Sequence, residues 1–433
     1  MVQPADWRSR VTTAVGRGLA ASRTVLDNGA VVISKEAHTV PAVTIQVSLG
    51  AGSIYESDEQ LGLSHLTSRM LDRGTERKSS DEIADALDAR GVSLSLSANR
   101  HVMTIGCTCL TEDFEPMLEL IAEITRQPSF PEEEIAKRKG EQLNAIRQDE
   151  DSPAVQAMQA LFELLYPGGH QYGRPAKGRV DTVTALDAAT LRQFHAARFA
   201  PSTLTAIVVG DVASGPVAEV FERVFGDWKA GTPAEISLAH PPSARTRRER
   251  IITMMNKAQT DIAYGFTTIA RSDPNYYAYT LMNNALGQYG IGGRLGDNIR
   301  ERQGMAYYVF SSFDAIVVEG PLIVRAGVNP ANVERAIAAI DDEMARMAKE
   351  GVLAQELADC KQYLIGSIPR MLETNQAIAT FLHTAEFFGL GLDHDLRLPA
   401  FLDSVTIDDV NAAARQTLDA GRAAVVVAGP YQR

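Results

Sequence analysis

The chain is poor in the residues that staple or anchor proteins. Its 3 cysteines in 433 residues, Cys107, Cys109 and Cys360, are too few and too oddly spaced for a disulfide framework or a zinc knuckle. Cys107 and Cys109 stand two apart in a strand-like run and share a face, which reads as buried, reduced thiols. No apolar run reaches the length of a bilayer span, so no membrane-crossing helix is expected. Positive charge is also scarce: 42 Lys and Arg against 54 Asp and Glu leave a formal net charge of −12. Phosphate binding needs a concentrated basic footprint, and none is found, which argues against a nucleic-acid partner. The N-terminal segment holds Arg8, Arg10, Arg17 and Arg23 with one acid, Asp6. These arginines loosely suggest a transit peptide, yet without an apolar signal core the segment reads as an ordinary lead-in.

What is present is the make-up of a soluble globular protein, 45% hydrophobic and 22% charged. The length exceeds one ordinary core and favours two or more domains. A repeat supports this. Leu191-Arg192-Gln193-Phe194 followed by Leu204 to Asp211 closes one half, and Asp409 to Ala413 followed by Ala423 to Gly429 closes the other. In both, a helix leads into a short apolar strand that ends in Gly. Upstream, Val92–Ser97 and Val102–Cys107 alternate as strands before a helical pattern from Phe114 to Ile121. Tyr307–Phe313 and Pro321–Val324 repeat that order before a helical pattern from Val333 to Met347. The expected fold is α+β: two homologous α/β-sandwich domains, residues 1–230 and 251–433, joined by a Pro-, Ala- and Arg-rich linker at 231–250.

One segment has the frame of a metal-binding helix with most of its chemistry missing. In Leu61-Gly62-Leu63-Ser64-His65-Leu66-Thr67-Ser68-Arg69-Met70, His65 fits the first position of the zinc motif H-x-x-E-H. Ser68 stands where the general-base Glu belongs, and Arg69 where the second His belongs. In an intact site two imidazoles one helical turn apart hold Zn²⁺ and the Glu deprotonates the bound water. A guanidinium cannot ligate a cation and repels it. A lone His65 therefore reads as a hydrogen-bonded helix histidine, because stable zinc sites need three or four ligands.

The segment resembles the zinc helix of the pitrilysin, insulysin and mitochondrial-processing-peptidase family. Leu26-Asp27-Asn28-Gly29 and Gly52-Ser53-Ile54-Tyr55-Glu56 match the strand-turn-strand that leads into that helix, and Gly62 to Thr75 matches at most positions outside the ligands. The family's third ligand is a Glu on a later helix. The resemblance puts Ala145 at that position and Arg138 at an acidic position two turns earlier. Two of three ligands and the base are thus replaced, and no metal is expected in this chain. Arg69 and Arg138 are expected to fill the vacated space as buried or half-buried cations, for which acidic or carbonyl partners are required.

The resemblance continues through Gly292-Gly293-Arg294 to Tyr308, where the family carries an Arg and a Tyr seven apart that reach toward the scissile peptide. Here these are Arg300 and Tyr307. Spacing alone would make Arg300 a helix-terminal cation and Tyr307 a strand residue. The flanking match turns the reading toward a substrate-binding pair: Arg donates to peptide carbonyls and a phenol can donate to an oxyanion. His170, in Gly168 to Gly178, reads as structural. Gly290 to Gly293 reads as a flexible connection, since no Lys-Ser/Thr follows to make a phosphate loop.

What the resemblance implies is a non-catalytic, substrate-binding subunit of a heterodimeric zinc metallopeptidase that degrades or processes unfolded peptides. A homologous partner chain would supply the zinc site, and two chains would face each other around a chamber. The alternatives are a catalytically inactive structural core-type subunit of a larger respiratory complex, or a free-standing peptide-binding protein. A bacterial cytoplasm is the expected compartment, with the periplasm and the mitochondrial matrix left open.

Overall fold

A computed structural model describes residues 18–229, 231–288 and 292–432. Apart from Arg23, the N-terminal arginines lie outside the described residues. Two compact units are built around two separate sheets. The first contains the chain up to Ile146 together with Pro175–Ile236 and Ile368–Arg397. Its strands are β1 (Ser22–Val25), β2 (Val31–Glu36), β3 (Ala42–Leu49), β4 (Ser95–Ala98), β5 (Met103–Leu110) and β6 (Thr205–Gly210), in the order β1-β2-β6-β3-β5-β4. β6 runs parallel to β2 and antiparallel to β3.

Val31, Val32 and Ile33 show why both faces need a cover. Side chains alternate across a strand, so Val32 enters the core that contains Met117, Leu118 and Ile121 of the helix Phe114–Arg126. Val31 and Ile33 point the other way. With Ile207 and Val209 they pack against Ile378, Ala379 and Leu382 of the helix Asn375–Phe387. The near-continuous apolar runs of β2 and β6 are what a strand buried on both faces requires.

The second unit contains Arg147–Arg174, Ser237–Ser367 and Leu398–Arg433. Its strands are β7 (Arg248–Thr253), β8 (Thr260–Thr267), β9 (Ala306–Phe313), β10 (Pro321–Val328) and β11 (Ala424–Gly429), in the order β7-β11-β8-β10-β9. β11 runs parallel to β7 and antiparallel to β8. The order and directions match those of the first sheet strand for strand, with only β1 lacking a counterpart. One face carries Ile337, Ile340 and Met344 of the helix Val333–Glu350. The helix Pro153–Leu165 packs on β8 and β11, and Gly265 leaves room there for Leu161 and Leu165.

The fold is α+β with an internal repeat. The units, however, are not the contiguous stretches 1–230 and 251–433. The helix Pro153–Leu165 belongs with the C-terminal sheet and the helix Asn375–Phe387 with the N-terminal one, each on equivalent strands. The sequence pattern shows that a helix is amphipathic, not which sheet it covers. The linker appears as irregular chain up to β7, which begins at Arg248. All three cysteines are buried and unpaired.

The glycines that end β6 and β11 are equivalent in detail. Gly210 has φ +151° and Gly429 φ +148°. A Cβ on Gly210 would lie 2.2 Å from the Ala42 carbonyl oxygen, and one on Gly429 2.7 Å from the Thr260 Cα. At Gly210 the nearest atoms are all backbone, whereas at Gly429 the Thr260 hydroxyl, also at 2.7 Å, shares the space. Gly210→Ala should therefore cost about 1–3 kcal/mol and lower the unfolding midpoint by at least about 2 °C, read by calorimetry. An unchanged midpoint would show that the start of β3 yields without cost.

Candidate functional site

The metal-motif segment forms a helix of only six residues, Leu63–Ser68. Gly62 precedes it with φ +91°, where a Cβ would lie 2.5 Å from the Lys177 carbonyl oxygen. The helix start is held by a carboxylate: Glu56, 4% exposed, accepts from the Gly62 N–H at 3.0 Å and the Ser64 N–H at 2.6 Å. Gln142, on the helix Glu132–Glu150, donates to the Gly62 carbonyl at 3.1 Å, so the two helices are fixed to each other.

His65 is half-buried on this helix. Ser68 is buried, and its hydroxyl donates to the His65 carbonyl at 2.8 Å. Arg69 is the C-cap of the helix, where a cation suits the negative pole. Its guanidinium donates to Glu141 at 2.7 Å, and Arg138 donates to both Glu141 oxygens at 2.8 Å. Arg138, Glu141 and Ala145 recur at helical spacing on one face, so Ala145 shares the face that carries this cluster. The two arginines thus share one carboxylate. Hydrogen bonds from Arg138, then Arg69, hold the Glu141 carboxyl below its usual range. Asp72, beside the cluster and paired with Arg73 at 2.8 Å, is pushed the other way by burial.

This donor set does not fit zinc. Among the described residues no group of three His, Cys, Asp or Glu side chains is placed to hold a metal ion. Two guanidiniums occupy the neighbourhood instead, and their charge opposes a cation. Glu141 is the residue the sequence reading missed. Its signal was the spacing of three from Arg138 on a charge-rich helix, where such pairs face each other. Glu56 was legible only as part of the matching segment, because nothing local announces a carboxylate that caps a helix six residues later.

Arg300 and Tyr307 belong to the second unit, and the cluster belongs to the first. Arg300 sits on a π-helical segment, Gly296–Arg302, a form enriched at functional sites. Asn298 of that segment donates at 2.6 Å to Glu343, which is 1% exposed and also bound by Arg346. The preceding Arg294 is locked to Glu356 at 2.6 Å. Among the described residues the Arg300 guanidinium has only its neighbour Glu301 as an ion-pair partner, at 3.6 Å, and is 39% exposed. Tyr307 stands on β9, the edge strand, 64% exposed and without a hydrogen bond to any described residue. The backbone under the pair is anchored while both polar ends reach solvent.

His170 has both ring nitrogens engaged, with the Tyr172 N–H at 3.0 Å and the Ala239 carbonyl at 2.9 Å, which fits a structural role. Of the run Gly290 to Gly293, Gly290 lies outside the described residues, and Gly293 backs onto the Gly287 Cα, 2.3 Å from its would-be Cβ.

Comparison with known proteins decides the family. Residues 31–172 match the model of the insulinase peptidases, family M16, and residues 185–364 match that of the peptidase M16 inactive domain. The chain belongs to peptidase family M16. A protein described as an uncharacterized zinc protease of Mycobacterium leprae is 27% identical over 424 residues, covering 96% of this chain and 93% of that one. Another so described, from Streptomyces coelicolor, is 29% identical over 417 residues, covering 95% and 90%. The crystal structure of a peptidase M16 inactive domain from Pseudomonas fluorescens superposes with a TM-score of 0.89 at 26% identity, covering 95% of this chain and 99% of that one. A Helicobacter pylori protease structure gives 0.87 at 18% identity over 95% and 99%, which bears on the fold alone. Within the M16 frame, the segment Leu61–Met70 lacks the H-x-x-E-H motif. No helix of the described residues is long and apolar enough to cross a membrane.

Two outcomes follow. Glu141→Gln removes the shared negative charge at nearly constant volume and should destabilise the protein by about 1 kcal/mol, since Arg69 and Glu141 are partly exposed. Because the folded Glu141 pKa lies below its ordinary value of 4.5, its contribution is present above that pH and lost as pH falls through the folded value. The gap between wild type and variant in denaturant titrations should hold at neutral pH and close in acid. Second, the purified M16 chain should carry no stoichiometric zinc, and Ser68→Glu with Arg69→His should not create a peptidase while Ala145 remains. Elemental analysis and peptide-cleavage assays check both, and robust cleavage by the double variant would refute the assignment of Ala145.

Proposed function

We propose that this M16 chain is the non-catalytic, substrate-binding subunit of a heterodimeric zinc metallopeptidase, in which a homologous partner carries an intact H-x-x-E-H helix and the zinc. One observation carries the reading: where the resemblance puts the metal helix, Arg69, Glu141 and Arg138 form an ion cluster, whereas at the positions it gives to the substrate-binding pair Arg300 reaches solvent with Glu301 3.6 Å away and Tyr307 is 64% exposed. A tyrosine kept only for packing would be buried, and this one is not. The peptide would be extended, since β9 is the edge strand of its sheet and such edges take up a further strand.

In the assembled enzyme the phenol of Tyr307 would donate to the oxyanion that develops on the scissile carbonyl, and Arg300 to neighbouring substrate carbonyls. Tyr307→Phe should lower kcat of the heterodimer by on the order of 10²-fold with assembly and partner zinc unchanged. Arg300→Ala should mainly raise KM. Steady-state kinetics on the co-purified pair reads both, and wild-type values in the two variants would move the reading to a purely structural core subunit.

A further inference from the structure

The second unit contains a cavity of about 520 Å³ that the pair Arg300 and Tyr307 does not line. Its wall includes Tyr308 and Phe310 of β9, Arg325 of β10, Asp261 of β8, Lys257, and Ser152 at the start of the helix Pro153–Leu165. The size is that of a small-ligand site.

Two features of this wall ask for an anion. Arg325 has no carboxylate partner among the described residues; its guanidinium meets the Tyr308 phenol, and its central carbon stands 5.7 Å from the centroid of the Phe310 ring. The helix Pro153–Leu165, 13 residues long, starts beside it without a side-chain cap, and Pro153 at its first position has no N–H. The N–H groups of Ala154 and Val155 are therefore open to a negative group in front of the helix. Other charges on the wall are satisfied. Lys257 is paired with Asp151 at 2.6 Å, and Asp261, 5% exposed, accepts from the Tyr308 hydroxyl and the Gln259 amide. The remaining surface is the aromatic face of Tyr308 and Phe310, whose centroids lie 5.9 Å apart.

A ligand that fits has a negative end and an apolar body. We infer that this cavity is a subsite for the C-terminal carboxylate of a peptide whose last side chain is apolar, held by Arg325 and the helix start with its side chain against Phe310. The inference rests on the substrate-binding reading for its choice of a peptide. The shared strand supports that choice: Tyr307 and Tyr308 are neighbours on β9, the edge strand, so a peptide paired along this edge would pass both the pair and the cavity.

The test uses the full chain alone and a fluorescein-labelled peptide that ends in phenylalanine, as the free acid or the amide. With a net charge of −12, non-specific attraction favours the amide, so a preference for the acid must be local. The acid is expected to bind at least about tenfold more tightly, the scale of one charge-assisted hydrogen bond, and Arg325→Gln should abolish the preference while Arg325→Lys keeps part of it. Inorganic phosphate should displace the acid from the wild-type chain, a readout that needs no variant. Equal affinity for acid and amide, or a preference that survives Arg325→Gln, overturns the subsite. Heterodimer turnover of an amidated peptide is measured separately, so failure of the subsite and failure of the substrate-binding role give different results.

Discussion

Each sheet in this protein is apolar on both faces, and everything else depends on keeping both covered. Val31, Ile33, Ile207 and Val209 form the face that meets Ile378, Ala379 and Leu382. Burial of a large aliphatic side chain contributes about 1.5–3 kcal/mol, so those four alone amount to roughly 6–12 kcal/mol. That is comparable with the whole net stability of a typical domain, about 5–15 kcal/mol. The helix Asn375–Phe387 is therefore a necessary part of the first unit, although it arrives from the far end of the chain. The short strands around it inherit their register from this cover.

The two candidate sites answer different electrostatic demands. In the first unit two arginines share the Glu141 carboxylate, and Arg138 also has Glu134 at 3.6 Å. Such a cluster is self-sufficient, with its charges directed at one another. In the second unit the anchoring residues and the pair proposed to bind substrate are separate. Asn298 and Arg294 fix the backbone to Glu343 and Glu356, and Arg300 and Tyr307 are left outside that network. A site that must meet another molecule has to hold back some of its hydrogen-bonding capacity in this way.

Much of this was written plainly in the sequence. Alternation in β5, the helical spacing from Val333 and the two strand-ending glycines gave the repeat and the α+β class, because a core face imposes its period directly on the residues. The absence of an H-x-x-E-H motif was legible because identity alone decides it: Ser68 and Arg69 stand at its last two positions, and no rotamer turns an arginine into a ligand. Glu141 was harder, since an exposed-looking acid in a run of charges has many possible partners and only three dimensions select Arg69. The destination of the helices Pro153–Leu165 and Asn375–Phe387 was not legible. Amphipathic faces state that a partner exists, and chain proximity points to the wrong one.

That misdirection has a topological meaning. The chain passes between the two units five times, where a simple tandem would pass once. Cutting the irregular stretch before β7 would sever a covalent link without yielding two finished modules, for each fragment would still hold a helix that completes the other's sheet. The halves are laced, and fragments made at that cut would have to find each other again to bury what they expose. A duplicated gene whose copies became joined in this manner has lost the option of shedding one copy.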